Sequence, residues 1–334
     1  MGVTRLTAAL LLLGIVVLAA LVLYSGPLTL VDQLRKLGGN LLWVLVPSIA
    51  IYLFDALGWR ATLGRHAERI RFGRLFMIRM AGEAVNFSTP AAYLGGEPMK
   101  AYLLSRYGVP LVDGLASVVT AKTTMTLAQV LFILIGVAAT FALLNRSSEL
   151  ILTGLVGLMM LGFGIGVFMA VQRRGLFVGI SRLLERIGLR IRWLKEREKK
   201  LEALDEAISD FYSRDRRGFI SSLLYFFIGW VIGAAEVYLI LYLLGEPRSF
   251  LTAFAIEALA VFVKGGTSFI PGSVGGQEAG TVMLFVAFGY TSATGVTFAI
   301  VRRFREILWL IFGLLALAAE NRRARQSDPG PVSG

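Results

Sequence analysis

The chain has no cysteine and one histidine in 334 residues. The first absence excludes disulfides, thiolate nucleophiles and cysteine-ligated metal centres, and it removes redox usage as a guide to compartment. The second leaves no imidazole cluster: His66 stands alone in a basic loop, where an isolated ring is expected to be solvated rather than ligating. Charge is scarce as well. Charged residues make up 17% of the chain against about 25% in soluble domains, whereas hydrophobic residues reach 56% and mean hydropathy is +0.71. The apolar surplus is gathered in long runs, which excludes a soluble enzyme, a disordered chain and a nucleic-acid module and leaves an integral membrane protein. The net charge of +12 and pI near 10.2 come from Lys and Arg between those runs, where cytoplasmic loops meet anionic headgroups.

About 20 apolar residues cross a bilayer as a helix. Such runs occupy 6–24, 41–59, 112–144, 151–171, 220–244 and 292–319. The first reads as a retained span rather than a signal peptide, because its apolar run is long, its basic flank is Arg5 alone and no small-residue cleavage site follows. Two further apolar regions are interrupted. The stretch 72–107 carries Glu83, Asn86, Pro90 and Gly95-Gly96-Glu97-Pro98; the stretch 252–288 carries Glu257, Lys264, Pro271 and Gly275-Gly276-Gln277-Glu278. Broken backbone at membrane depth is tolerated only where protein encloses it or it lines water, so both read as re-entrant helical hairpins.

The Lys and Arg bias places the Arg60–Arg79 stretch, the segment 172–218 and the tail after residue 320 in the cytoplasm, with both termini inside. The expected fold is an all-α polytopic protein of the inner (plasma) membrane. Its first membrane half covers 1–171 and its second 219–320. Between them, 172–218 is a basic amphipathic linker expected to lie on the anionic leaflet or to meet a protein partner, and 321–334 is expected to be disordered.

Self-similarity appears at an offset of 180 residues. Ser88-Thr-Pro-Ala-Ala-Tyr-Leu-Gly-Gly-Glu97 lies over Ser268-Phe-Ile-Pro-Gly-Ser-Val-Gly-Gly-Gln277, so the glycine pairs coincide, and Lys122 lies over Arg302 about 26 residues further on. With the spans before and after each hairpin running in opposite directions, this is an inverted-topology repeat, an architecture whose binding site sits at the repeat interface near the midplane.

The sharpest chemical feature is Arg302-Arg303-Phe-Arg305-Glu306, midway along the last span. Each central Arg costs roughly 2.5–3.5 kcal/mol on insertion scales, and Glu306, one turn beyond Arg302, offsets at most one of them. The others call for a hydrated cavity or an anionic ligand, and guanidinium suits phosphate. The glycine pairs Gly95, Gly96 and Gly275, Gly276 precede short helical runs and would present N–H groups to an anion, with Glu97, Gln277 and Glu278 at the same helix starts. Lys122 and Lys264 are further candidates for the cavity wall. Glu83, Glu236 and Glu257 are intramembrane acids that would serve as ion-pair partners or proton carriers. Asp55 reads as structural. No cofactor or metal is implied.

At these residues the chain resembles a known family. Gly-Gly-Glu-Pro-Met-Lys-Ala-Tyr-Leu-Leu-Ser-Arg (95–106), Phe269-Ile-Pro-Gly-Ser-Val-Gly-Gly-Gln-Glu278 and Arg302-Arg303-Phe-Arg305-Glu306 look like the flippase-like family that includes the membrane region of lysylphosphatidylglycerol synthase, over roughly residues 5–320. Ala253-Phe-Ala-Ile-Glu257-Ala-Leu with the 271–278 stretch looks most like its hopanoid-associated branch. The resemblance implies a lipid translocator without a soluble synthase domain. Many relatives carry an Arg and an acid where this chain reads Lys122-Thr-Thr-Met-Thr126. The leading expectation is therefore a transbilayer lipid translocator. The alternatives are a membrane enzyme acting on a lipid phosphate and a non-transporting lipid-assembly factor.

Overall fold

The computed structural model describes residues 27–88, 95–144, 198–267 and 273–327, with a few positions in 20–23 and 162–179. Every described element is helical. Helix α1 (Pro27–Leu37) passes through a 3-10 segment (Gly38–Val44) into α2 (Leu45–Thr62), with Pro47 close to the junction. Two short helices follow, α3 (Phe72–Ser88) and α4 (Gly96–Ser105), and then the long α5 (Leu111–Leu144). The second run is α6 (Glu198–Arg214), α7 (Arg216–Leu243), α8 (Phe250–Gly266), α9 (Gly276–Ala287) and α10 (Ser292–Ser327).

The starts of α7 and α8 are fixed by side chains: Asp215 accepts from the Gly218 N–H at 2.8 Å and Ser249 from the Thr252 N–H at 3.2 Å. The start of α9 needs glycine, because Gly275 has φ +82°.

Three helical stretches are long and apolar enough to cross a membrane: Pro27–Thr62, Leu111–Leu143 and Arg216–Leu243. The α10 helix, 36 residues and so about 54 Å, has the length but carries charges at its centre. By contrast α3, α4, α8 and α9, of 17, 10, 17 and 12 residues, are about 15–26 Å long and fall short of a hydrocarbon core of about 30 Å. They pair into two hairpins, α3 on α4 and α8 on α9. Each hairpin then packs on the long helix of the other half: α3 lies along α10, and α8 along α5, while α2 and α7 pack on each other between them.

Polarity is distributed the opposite way from a soluble protein. Leu28, Met283 and Leu315 are exposed, whereas Asp55, Arg79, Lys100, Glu236, Glu257 and Glu278 are buried. Hydrocarbon outside and charge inside is the arrangement lipid enforces, and the protein is a membrane protein. Since lipid gives apolar faces no reason to associate, close approach has to come from small residues. Gly136 on α5 meets Ala258 on α8, and Gly313 on α10 meets the Met80 carbonyl and Ala84 on α3; a Cβ at either glycine would overlap its neighbour.

Three expectations are corrected here. Residues 321–327 continue α10, since Asn321-Arg-Arg-Ala-Arg-Gln326 is rich in good helix formers, so this part of the tail is ordered. The α6 portion of the linker turns its apolar side to the protein: Leu204, Ile208, Phe211 and Tyr212 pack on Val112, Leu115, Ala116 and Val119 of α5. Tyr212 also donates to Gln172 Oε1 (3.1 Å), and Gln172 donates to Thr123 (3.1 Å). His66 is buried, its Nε2 3.0 Å from Asp113 Oδ2, because the Gly64–Glu68 turn tucks the ring against the start of α5. Most of the spans 6–24 and 151–171 and the linker residues Ile180–Leu189 lie outside the described residues, as do 89–94 and 268–272 with Pro271.

The glycine contacts carry a prediction. Gly313→Val and Gly136→Leu are each expected to lower stability by about 1–3 kcal/mol through overpacking, read as a fall in melting temperature in detergent. Gly73→Ala, with nothing near the added Cβ, should change stability by less than about 0.5 kcal/mol.

Candidate functional site

The geometry of α10 explains how adjacent charges reach different helices. At about 100° per residue, positions 302, 303, 305 and 306 fall at about 0°, 100°, 300° and 40° around the axis. Arg302 and Glu306 thus share a face, and Arg303 and Arg305 diverge to either side. Arg302 donates to Glu257 of α8 at 2.6 Å. Arg303 pairs with Glu278 of α9 and, at 3.0 Å, with Glu306. Arg305 pairs with Glu236 of α7. Lys264 of α8 donates to Glu306 at 3.2 Å. The expectation that most of these guanidinium groups lack a protein partner is corrected: each has a carboxylate, supplied by a helix distant in sequence.

A second cluster is built from α2, α3 and α4. Arg79 donates to Asp55 at 2.7 Å and lies 3.9 Å from Glu83, one turn on. Lys100 bridges Glu83 at 3.0 Å and Glu97 at 3.1 Å. Asn86 donates to Glu97 at 3.2 Å and accepts from the Gly96 N–H at 2.7 Å. Gly82 makes room for the Lys100 stem across the hairpin.

Between the clusters lies a cavity of about 350 Å³. Asp55, Arg79, Glu83 and Lys122 line one side; Glu257, Lys264, Gln277, Arg302, Arg305 and Glu306 line the other, with Tyr52, Gln129, Trp230 and Val261 completing the wall. A neighbouring cavity of about 120 Å³ shares Tyr52, Glu83, Lys264, Arg305 and Glu306 and then runs between α3 and α10 past Met80, Phe87, Trp309 and Leu310. One end of this space is therefore charged and the other apolar. Across both clusters the cations Arg79, Lys100, Lys122, Lys264, Arg302, Arg303 and Arg305 are matched in number by the acids Asp55, Glu83, Glu97, Glu236, Glu257, Glu278 and Glu306.

Comparison with known proteins agrees in extent with this architecture. The family model described as lysylphosphatidylglycerol synthase TM region matches residues 11–314. The chain belongs to that family. Among relatives, the chain is 25% identical to a UPF0104 membrane protein of Methanothermobacter thermautotrophicus over 321 residues, covering 91% of this chain and 92% of the relative. It is 24% identical to a UPF0104 membrane protein of Pyrococcus horikoshii over 297 residues, covering 85% and 87%. No solved structure matches the chain significantly.

In this family member, eight of the seventeen residues singled out from sequence meet at the cavity: Arg302, Arg305, Glu306, Lys122, Lys264, Gln277, Glu257 and Glu83 are on its wall. Arg303 and Glu278 pair beside it, and Glu236 is fully buried behind it. Glu97 lies at a small adjoining void with Lys100. The hairpin glycines differ from expectation. The Gly96 N–H is taken by Asn86 and the Gly275 N–H by Glu278 at 2.7 Å, so these two donors are satisfied within the protein.

Sequence reasoning missed Arg79, read as a loop cation, and undervalued Asp55. The available signal was the Arg79–Glu83 spacing of one helical turn inside an apolar run. Tyr52, Lys100 and Gln129 gave no comparable sign. Among the described residues no group of three His, Asp or Glu is placed to hold a metal ion.

The Arg305–Glu236 pair is a stability element. Glu236→Gln leaves Arg305 buried without its charge partner and is expected to cost about 3–5 kcal/mol, seen as a large drop in melting temperature. Replacing both residues, Glu236→Leu with Arg305→Met, should recover most of that loss.

Proposed function

We propose that this protein is a transbilayer lipid translocator, with the headgroup held in the charged cavity and the hydrocarbon chain leaving through the crevice between α3 and α10. The observation that carries the reading is the continuity of the two cavities: Glu83, Lys264, Arg305 and Glu306 bound both, while Phe87, Trp309 and Leu310 bound only the apolar one. A space polar at one end and apolar at the other fits an amphiphile. Arg302 and Arg305 are the phosphate-matching groups on its wall. The family, named for the membrane region of lysylphosphatidylglycerol synthase, points to lipid as well. A connection to hopanoid or envelope lipids rests on the sequence resemblance at 253–278.

The inverted repeat belongs to the same proposal. At the offset of 180, α2 falls within α7, α3 over α8, α4 over α9 and α5 over α10, four elements in one order. In this reading the short hairpins are re-entrant, both termini are cytoplasmic, the protein is a multi-pass plasma-membrane protein, and openings to the two sides alternate. The enzyme alternative is not favoured, as the described cavity wall offers no Ser, Thr, Cys or His to act as a nucleophile or imidazole base. The assembly-factor alternative loses part of its partner surface, because the apolar face of α6 is occupied by α5.

Reconstitution in liposomes with a fluorescent phosphatidylglycerol, read by dithionite quenching and by mass spectrometry, tests the reading. A change of sidedness at constant lipid mass is expected, and Lys264→Ala, a partly exposed wall cation, should slow it at least about tenfold, a barrier change of about 1.4 kcal/mol. A change of lipid mass would mark an enzyme. Neither change would return the assembly-factor reading.

A further inference from the structure

The two clusters that flank the cavity hold as many acids as cations before anything enters it, and this constrains what it accepts. An anionic headgroup that bound there with all the acids ionised would leave an uncompensated negative charge in a low-dielectric interior, where such charge is costly. We infer that a monoanionic phospholipid enters together with one proton, and that Glu257 takes the proton. This inference rests on the headgroup reading of the cavity given above and names how that site is compensated.

Glu257 is chosen by its surroundings. It is the one carboxylate on the described cavity wall with an oxygen, Oε2, that is both buried and without a hydrogen-bond partner. Its other oxygen accepts from Arg302 at 2.6 Å, and Gly233 of α7 leaves space beside it. The competing acids are differently held. Glu83 receives Lys100 at 3.0 Å, Glu306 receives Lys264 and Arg303, and Glu236 stands behind the wall. The charged groups around Glu257 are Arg302, Arg305 and Glu306 from α10, Glu236 from α7, Lys122 from α5 and Lys264 on its own helix; on α9, Glu278 is turned to Arg303.

In the step itself, a phosphodiester oxygen accepts from the Arg302 guanidinium, the Arg302–Glu257 bond opens, and Glu257, freed from that bond, binds a proton from water. Release reverses each event: the proton leaves Glu257 and the ion pair with Arg302 re-forms. Lipid anion and proton cross together, so the cycle moves no net charge. A trimethylammonium zwitterion fits less well, because the Tyr52 ring already carries Arg79 (5.8 Å) and Trp230 stacks on Phe132 (6.1 Å).

The test is isothermal titration calorimetry on the full chain in nonionic detergent, in two buffers of different ionisation heat. The probes are dihexanoyl-phosphatidylglycerol, a monoanion across the working pH, and dihexanoyl-phosphatidylcholine. Wild type is expected to take up about one proton per phosphatidylglycerol bound and to bind the zwitterion at least about tenfold more weakly, and any phosphatidylglycerol that Glu257→Gln still binds is expected to bind without proton uptake. Phosphatidylglycerol binding without proton uptake by wild type would overturn the inference and leave the headgroup site standing. Equal or tighter binding of phosphatidylcholine would do the same. No saturable binding of either lipid would overturn the headgroup site and the inference with it. The wild-type arms do not depend on the variant folding.

Discussion

A helix that carries three guanidinium groups at its centre and must still stand in a membrane sets the terms for everything packed around it. Left to hydrocarbon, Arg302, Arg303 and Arg305 would each cost several kcal/mol. Each instead meets a carboxylate from a different helix, Glu257 on α8, Glu278 on α9 and Glu236 on α7. Because the four charges from 302 to 306 spread widely around the α10 axis, one short sequence ties α10 to three neighbours. The positions of α7, α8 and α9 are in this sense consequences of pairing, and the acids are placed where burial without a cation would be untenable.

The same need shapes the first half with different chemistry. There the cluster holds one guanidinium, Arg79, and two ammonium groups, Lys100 and Lys122, against Asp55, Glu83 and Glu97. Lysine is a point charge on a flexible stem, whereas arginine offers a fixed fork of donors. The two walls of the cavity are therefore unequal: the α8–α10 side holds guanidinium groups with a fixed donor geometry, and the α2–α5 side supplies mostly ammonium charge with less directional demand.

Much of this was legible in the sequence. The apolar runs marked α2, α5 and α7 and the start of α10 to within a few residues, since hydrocarbon thickness and helix rise set one length scale. The central Arg group and the interrupted hairpins marked the second-half wall, because charge and glycine in an apolar run have few structural explanations. What stayed hidden was partnership. Nothing local tells that Arg305 will find Glu236 or that Arg302 prefers Glu257 to the nearer Glu306, for those pairs close across 69 and 45 residues and are settled by packing. Arg79 was obscured in the opposite way, as the last of a run of loop cations, although it lies inside α3 and is buried. His66 was taken for a solvated ring because its partner, Asp113, is contributed by another helix.

The division between charged and apolar contacts has a mechanical consequence. The cavity ion pairs described above all close within one half: Arg79, Lys100 and their acids among α2–α4, and Arg302, Arg303, Arg305, Lys264 and theirs among α7–α10. Where the halves cross, at α3 on α10 and α8 on α5, the close contacts are Gly313 against Met80 and Gly136 against Ala258. A shear of one half along the other would slide small apolar surfaces and leave the buried ion pairs intact, and small sliding of packed helices is an established mode of conformational change. The described polar ties that such a shear would have to break lie outside the charged cavity wall. They include Arg74 and Tyr107 on Glu320, and Trp309 on Ser48. The ion pairs at the cavity hold each half together, whereas the halves are joined by apolar helix packing and by polar ties outside the charged wall.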